Sequence, residues 1–523
     1  MAVEKIVFFI YLLGLIGVGL YFQKGTQSSE DYLLGGRSLG PAVTALTMQS
    51  TSMSGYMFMG GPAYAYQVGW FSLFYAVGDA GGSIFNIAVL GKRMRRLSEI
   101  LGCLSPIEYL EKRYESSVVR IVASFISLVF LSGYVIAQFI AAGKAMSSLL
   151  GISFPVALIG GVAVILFYTV SGGYLAVCWT DFIQGIIMVL AMIGILFLGL
   201  RHIGGLTGLN TSLAQIDPTY LSKWGKGLQY QGQYGVVIGA ILIYLVGYMG
   251  LPHVVVRHMS MKSTKTAKTA LLYATFWNQF FIFSPYILGL IGIILLPNLA
   301  DPEMVVPELA FSLFPGVIAA IVLSAVMAAI MSTADSQLMQ TGTILSRDIY
   351  QRFINPDAND KELLIASRVM VFATGIVGVA IALIQPPAVF GLVVFAFGVL
   401  GCSFTVPYIA AVYSKNANSV GCLAAMIGGG GTNFIWTVLK LESATAIHPF
   451  FAGLIASISC MLIFNRFGKK PSKEIIDAID KASGKSIMNV PKGIEMNTSK
   501  MLAPEAKAVS AFMANRNPLA TKG

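Results

Sequence analysis

Residues 41–66, PAVTALTMQSTSMSGYMFMGGPAYAY, constrain this chain more than any other stretch. They are apolar at both ends and polar at the centre, at Gln49, Ser50, Thr51, Ser52, Ser54 and Gly55, with Gly60, Gly61 and Pro62 following. The chain around them is that of a polytopic membrane protein: 56% of residues are hydrophobic and 11% charged, against about 25% charged in soluble domains, and the mean hydropathy is +0.75. Inside a bilayer, irregular backbone is tolerated only where protein or a water-filled cavity meets its freed polar groups. The segment therefore reads as a membrane helix unwound near mid-bilayer. A second stretch, 318–343, puts Ala329, Ser332, Thr333 and Ser336 at i, i+3, i+4 and i+7, on one helical face. The broken segment and this oxygen-bearing face are expected to meet. The alternative for such hydroxyls is that they bond their own i−4 carbonyls.

Residues 4–22 form the first apolar span, too long for a signal peptide and without its cleavage pattern. Further spans are expected near 41–65, 68–90, 118–148, 153–171, 180–201, 233–252, 269–297, 315–342, 364–384, 388–412, 418–439 and 447–465, thirteen in all. Lys92, Arg93, Arg95, Arg96, Lys112, Arg113, Arg257, Lys262, Lys265, Lys268, Arg347, Arg352, Lys361, Arg466, Lys469 and Lys470 fall in alternate loops. The positive-inside rule makes that side cytoplasmic, with the N-terminus outside and the C-terminus inside. Lys223 and Lys226, in loop 202–232, run mildly against this pattern. The net charge of +11 belongs to these loops and the tail and does not point to nucleic acid. The tail, 467–523, carries no catalytic motif; a weak amphipathic helix and disorder are equally open.

Span seven carries a second break, at Gly247, Gly250 and Pro252. Two interrupted helices five spans apart point to two five-helix units of inverted topology. The expected organisation is an extra N-terminal helix and linker at 1–40, a first repeat at 41–201, an extracellular loop at 202–232, a second repeat at 233–412, two peripheral helices at 413–466 and a cytoplasmic tail. Such architectures bind their solute at the breaks. Tyr56, Tyr134, Gln138, Tyr244 and Tyr248 are the candidate lining residues, each Tyr offering an apolar face and a hydroxyl; interface packing is the rival reading for the tyrosines. The NH groups at Ser54–Gly55 could receive a carboxylate. Asp181, in WTDFIQG, is an intramembrane carboxylate and so a functional candidate, with a helix-end position at the interface as its rival reading. Asp79, flanked by glycines, reads as a local hydrogen-bond hub. The five cysteines form no CxxC pair, the four histidines no metal or nucleophile cluster, and no phosphate-binding GxxxxGK[ST] run occurs. A membrane enzyme and ATP drive are thereby disfavoured.

DYLLGGRSLGP (31–41), MSG (53–55), GGP (60–62), the run at 172–185, GLPHVVVRHMS (250–260) and AAIMSTADSQL (328–338) resemble the sodium:solute symporter family over roughly residues 5–465, near its bacterial sodium/proline and sodium/pantothenate members. The resemblance implies an all-α, leucine-transporter-type fold with an inverted five-plus-five repeat and an unwound first helix in each repeat. It implies Na+ as coupling ion, held by carbonyls of Ser50, Met53 and Ala329 and hydroxyls of Ser332 and Thr333, and no organic cofactor. A second sodium would lie near Asp181, Asp335 and Ser336. Solute would be held by Ser54, Gly55, Tyr56, Tyr134, Gln138, Tyr244 and Tyr248; of these, Tyr134, Tyr244 and Tyr248 fall where proline-transporting members place aromatic pocket residues. Two departures stand out: Ser52 replaces an Asp of the proline transporters, and Tyr56 and Tyr244 replace Trp. GGPAYAY, Gln138 and the PPAV run at 386–389 lean towards the pantothenate branch. The expected function is sodium-coupled symport of proline, pantothenate or a similar carboxylate or amino acid across the plasma membrane, with solute, sodium and lipid as partners. A sodium-independent uniporter or channel, and a monocarboxylate or sugar symporter, are the alternatives.

Overall fold

The computed structural model describes residues 2–228, 230, 232–384 and 389–484. Most of the PPAV run and of the tail lies outside them. The apolar stretches marked in the sequence are mostly helical among the described residues. Among the described residues eight helices are each long and apolar enough to cross a membrane, or nine if one bent pair counts as a single span. The stretches 153–171 and 180–201 are two helices that together span Phe154–His202, 49 residues, and meet at a kink. At 1.5 Å per residue the pair is more than twice as long as a hydrocarbon core is thick, and the kink lies at Gly173, whose φ of 61° and ψ of −155° are non-helical and suit glycine. Beyond the last apolar helix, Lys473–Ser483 forms an amphipathic helix that buries Ile475, Ala478, Ile479 and Ala482.

Both breaks foreseen in the sequence are present, each with a local cause. Helix Pro41–Ser52 ends where Met53 takes φ −89°, ψ 60°. The chain restarts at Gly55 and runs through a wide turn, Tyr56–Gly60, in which the Gly61 amide reaches back to the Tyr56 carbonyl. Pro62 explains that turn: it has no N–H to give the preceding carbonyls, so the ladder shifts by one residue. In the second break, Leu251 precedes Pro252 and is forced into extended geometry, φ −95°, ψ 110°. Tyr234–Gly250 and Pro252–Ser260 therefore meet at 50°. Helix Gly316–Thr343 is buried from Val322 to Thr343 and packs on Phe154–His202, Ser117–Leu150 and the first broken helix.

Candidate functional site

The oxygen-bearing face meets the end of helix Pro41–Ser52. The Ser332 hydroxyl donates to the Ser50 carbonyl at 3.0 Å and lies 3.1 Å from the Ala329 carbonyl. The Thr333 hydroxyl donates to the Thr51 carbonyl at 2.8 Å and lies 3.4 Å from that of Ala329. Ser332 and Thr333 thus do more than bond their own helix: each bridges to the broken one. Met53 stands at the non-helical end of the same segment. Thr51 was not among the expected ligands, yet its carbonyl faces Thr333 directly. Carbonyls and hydroxyls fully buried from water suit a hard monovalent cation. Such an ion would turn the hydroxyl protons aside and take the carbonyl lone pairs to which they now donate.

One turn further along is a second polar cluster. Asp181 is fully buried rather than at a helix end. Its Oδ2 accepts from Thr47 at 2.6 Å, from Thr51 at 3.1 Å and from the Arg257 guanidinium at 3.0 Å. The same guanidinium donates to Thr51 Oγ1 and to Ser336 Oγ, each at 2.6 Å, and to Thr47 at 3.1 Å. Arg257, counted with the loop cations in the sequence, is a fully buried core residue of helix Pro252–Ser260. The reason lies in the second break, which turns that helix inward so that its basic residue reaches Asp181 instead of water. Asp335 stands beside this cluster; Tyr168 donates to its Oδ2 at 2.7 Å and Ser336 to its Oδ1 at 3.2 Å.

The expected solute residues also converge. Tyr134 donates to Ser54 Oγ at 3.3 Å. The Gly55 amide donates to Gln138 Oε1 at 3.0 Å, so this N–H is occupied within the protein rather than open to a carboxylate. The rings of Tyr56 and Tyr244 lie 5.3 Å apart, and those of Tyr244 and Tyr248 5.9 Å apart, with Phe397 4.9 Å from Tyr244 and 5.1 Å from Tyr248. The Tyr56 hydroxyl pairs with that of Tyr286. Tyr248 donates to Asp79 Oδ1 at 2.6 Å.

Two broken helices, an oxygen-lined face and buried polar groups between them define a helical, multi-pass membrane transporter. The comparisons carry the assignment further. The model of the sodium:solute symporter family matches residues 32–429, and the chain belongs to that family. The osmoregulated proline transporter OpuE of Bacillus subtilis is 32% identical over 471 residues, covering 89% of this chain and 94% of that protein. The high-affinity proline transporter PutP of the same organism is 32% identical, covering 88% and 97%. A sodium/proline symporter of Staphylococcus aureus is 30% identical, covering 88% and 92%. Among solved structures, a Na+-coupled sialic acid symporter in a substrate-bound outward-open state superposes with a TM-score of 0.73 at 22% identity, covering 90% of this chain and 99% of that one. Mhp1, a nucleobase-cation-symport-1 family transporter, gives a TM-score of 0.54 at 15% identity, covering 86% and 98%. The two structures share the fold. As a member of a symporter family the chain is a transporter and not an enzyme, and sodium is its coupling ion.

Proposed function

We propose that this chain imports a small amino acid with sodium, and that proline is the first solute to test. The observation that carries the reading is the contact of Ser332 and Thr333 with the carbonyls of the broken helix. The curated relatives named as proline transporters favour an amino acid over pantothenate. Sodium sits among Ser50, Met53, Ala329, Ser332 and Thr333, with Thr51 added, and solute among Ser54, Tyr56, Tyr134, Gln138, Tyr244 and Tyr248, while Gly55, its N–H held by Gln138, drops out. The chain crosses the membrane thirteen times as an inverted five-plus-five repeat, with its C-terminus cytoplasmic, a topology supported by the two breaks and the alternate basic loops.

The ion acts through position. Bound sodium ties the end of helix Pro41–Ser52 to helix Gly316–Thr343 and so orders the break that lines the solute pocket. By linkage, solute then raises sodium affinity by the same factor. The loaded protein rocks inward, where low sodium empties the site. One charge moved through 100 mV supplies about 2.3 kcal/mol, roughly 50-fold in accumulation.

The test is uptake into liposomes under an inward sodium gradient, with proline, pantothenate, acetate and a sugar, for wild type and the Ser332→Ala/Thr333→Ala double variant. Sodium-dependent proline uptake that the double variant loses supports the reading. Uptake that ignores both sodium and the variant overturns it in favour of a uniporter.

A further inference from the structure

Asp79 is a buried carboxylate without a basic partner among the described residues. It lies in helix Leu73–Asn86 with no exposure, and its Oδ1 accepts from Tyr248 at 2.6 Å. Its Oδ2 has no hydrogen-bond partner among the described residues. Among the described residues five other buried carboxylates are answered by a cation: Asp181 by Arg257 at 3.0 Å, Asp348 by Arg120 at 2.7 Å, Glu303 by Lys144 at 2.6 Å, Glu108 by Arg347 at 2.9 Å and Glu111 by Arg120 at 2.5 Å. Asp335 has a hydroxyl on each oxygen. An intramembrane carboxylate left half-satisfied is costly, and a fold keeps one where something else completes it.

The helix holds this carboxylate rigidly. Helix Leu73–Asn86 lies so close to helix Tyr234–Gly247 that a Cβ on Gly78 would come within 2.1 Å of the Ile241 carbonyl oxygen, and one on Gly82 within 2.4 Å of that of Tyr244. Asn278 donates to the carbonyls of Asp79 and Ala80, both at 3.0 Å. Register is therefore locked from two sides, and it puts Asp79 against Tyr248. That tyrosine belongs to the second break, its hydroxyl lies 3.4 Å from the Ser52 carbonyl in the first, and its ring continues through Tyr244 to Tyr56. Between Thr47 and Tyr56 the first break contributes no carboxylate of its own. A fixed carboxylate beside a run of aromatic faces is the arrangement that recognises a cationic nitrogen on an apolar body.

We propose that Asp79 is a solute-binding residue, whose free Oδ2 accepts the protonated nitrogen of an amino acid or secondary amine while Tyr248, Tyr244 and Tyr56 flank its carbon skeleton. The inference rests on the amino-acid reading above and sharpens it: a nitrogen that carries a proton is required, which excludes pantothenate, monocarboxylates and sugars as tight solutes.

The test is calorimetric binding to the purified full-length protein in saturating sodium, with proline and with cyclopentanecarboxylate, which keeps the ring and the carboxylate but lacks the nitrogen. Wild type is expected to bind proline at least about 100-fold more tightly than cyclopentanecarboxylate. Asp79→Asn is expected to lower proline to the level of cyclopentanecarboxylate and to leave the latter unchanged, with Asp79→Glu recovering part of the difference. The thermal shift produced by sodium alone should be the same in wild type and Asp79→Asn, which certifies the fold and sets the residue apart from an ion ligand. Proline binding unaltered in Asp79→Asn overturns the proposal alone. Loss of the sodium shift also overturns it, in favour of an ion-binding or structural carboxylate. Wild type that binds neither compound overturns the amino-acid reading and this proposal with it.

Discussion

Thr51 joins Arg257 to the oxygen-bearing helix: its hydroxyl accepts from the guanidinium at 2.6 Å while its carbonyl accepts from Thr333 at 2.8 Å. One residue at the end of a broken helix thus carries both the buried ion pair and the proposed sodium site. A change on either side is transmitted through a single peptide unit.

The ion pair is expected to behave as a unit. Arg257→Gln strands Asp181 in the interior and should cost about 3–5 kcal/mol. Asp181→Asn combined with Arg257→Gln should cost clearly less than the sum of the two single changes. Thermal unfolding of the four proteins in detergent, read as a double-mutant cycle, checks this. Strict additivity would mean that the pair is not coupled.

Ser332→Ala and Thr333→Ala each remove one oxygen that reaches the broken helix. Each should raise the sodium concentration for half-maximal uptake by about 10-fold, the cost of roughly one hydrogen-bonding group. Maximal uptake at saturating sodium should change much less. Initial uptake rates across a sodium titration separate the two parameters.

Gly82→Ala places a Cβ within 2.4 Å of the Tyr244 carbonyl oxygen and 2.5 Å of the Tyr248 ring. Overpacking of this kind typically costs about 1–3 kcal/mol. Because the ring displaced is the one bonded to Asp79, solute affinity should fall together with the melting temperature. Gly431→Ala, where no neighbour stands within 4 Å of the added Cβ, should leave solute affinity unchanged.

Glu108 lies outside the spans, in helix Pro106–Tyr114. Burial pushes its carboxyl up, but Arg347 at 2.9 Å and Lys112 at 3.0 Å outweigh that and hold it at about 2 instead of 4.5. The folded value is below the unfolded one, so the stabilisation is complete above pH 4.5 and is lost as pH falls from there through 2. Its size is about 3 kcal/mol. The difference in melting temperature between wild type and Glu108→Gln should be constant from pH 5 to 8 and should narrow below pH 4.5. A constant difference at all pH values would show that charge is not its source.

Much of the fold was legible because its signals are local. Pro252 forces the residue before it out of helical geometry, and the polar centre at 49–55 marks the first interruption, so both breaks could be read directly from the chain. The spacing of Ala329, Ser332, Thr333 and Ser336 is a property of helical phase alone, and their common face needed no neighbour to define it. Residues 153–171 and 180–201 read as two helices, and they meet at a kink at Gly173, whose φ of 61° takes it out of the helix.

By itself, then, the sequence determined that this is a helical membrane protein, broken at two places, with one hydroxyl face opposite the first break. Only the tertiary structure decided which charges are partners. Arg257 and Asp181 are 76 residues apart, and a basic residue just beyond an apolar stretch looks the same whether its helix turns towards water or towards the core. Asp79 was equally ambiguous: its meaning depends on Tyr248, 169 positions away, and on the glycines that let two helices approach closely enough for the two side chains to touch. Helical phase and backbone breaks are encoded within a few residues, whereas the pairing of buried charges depends on the packing of helices far apart in the chain, which no local spacing records.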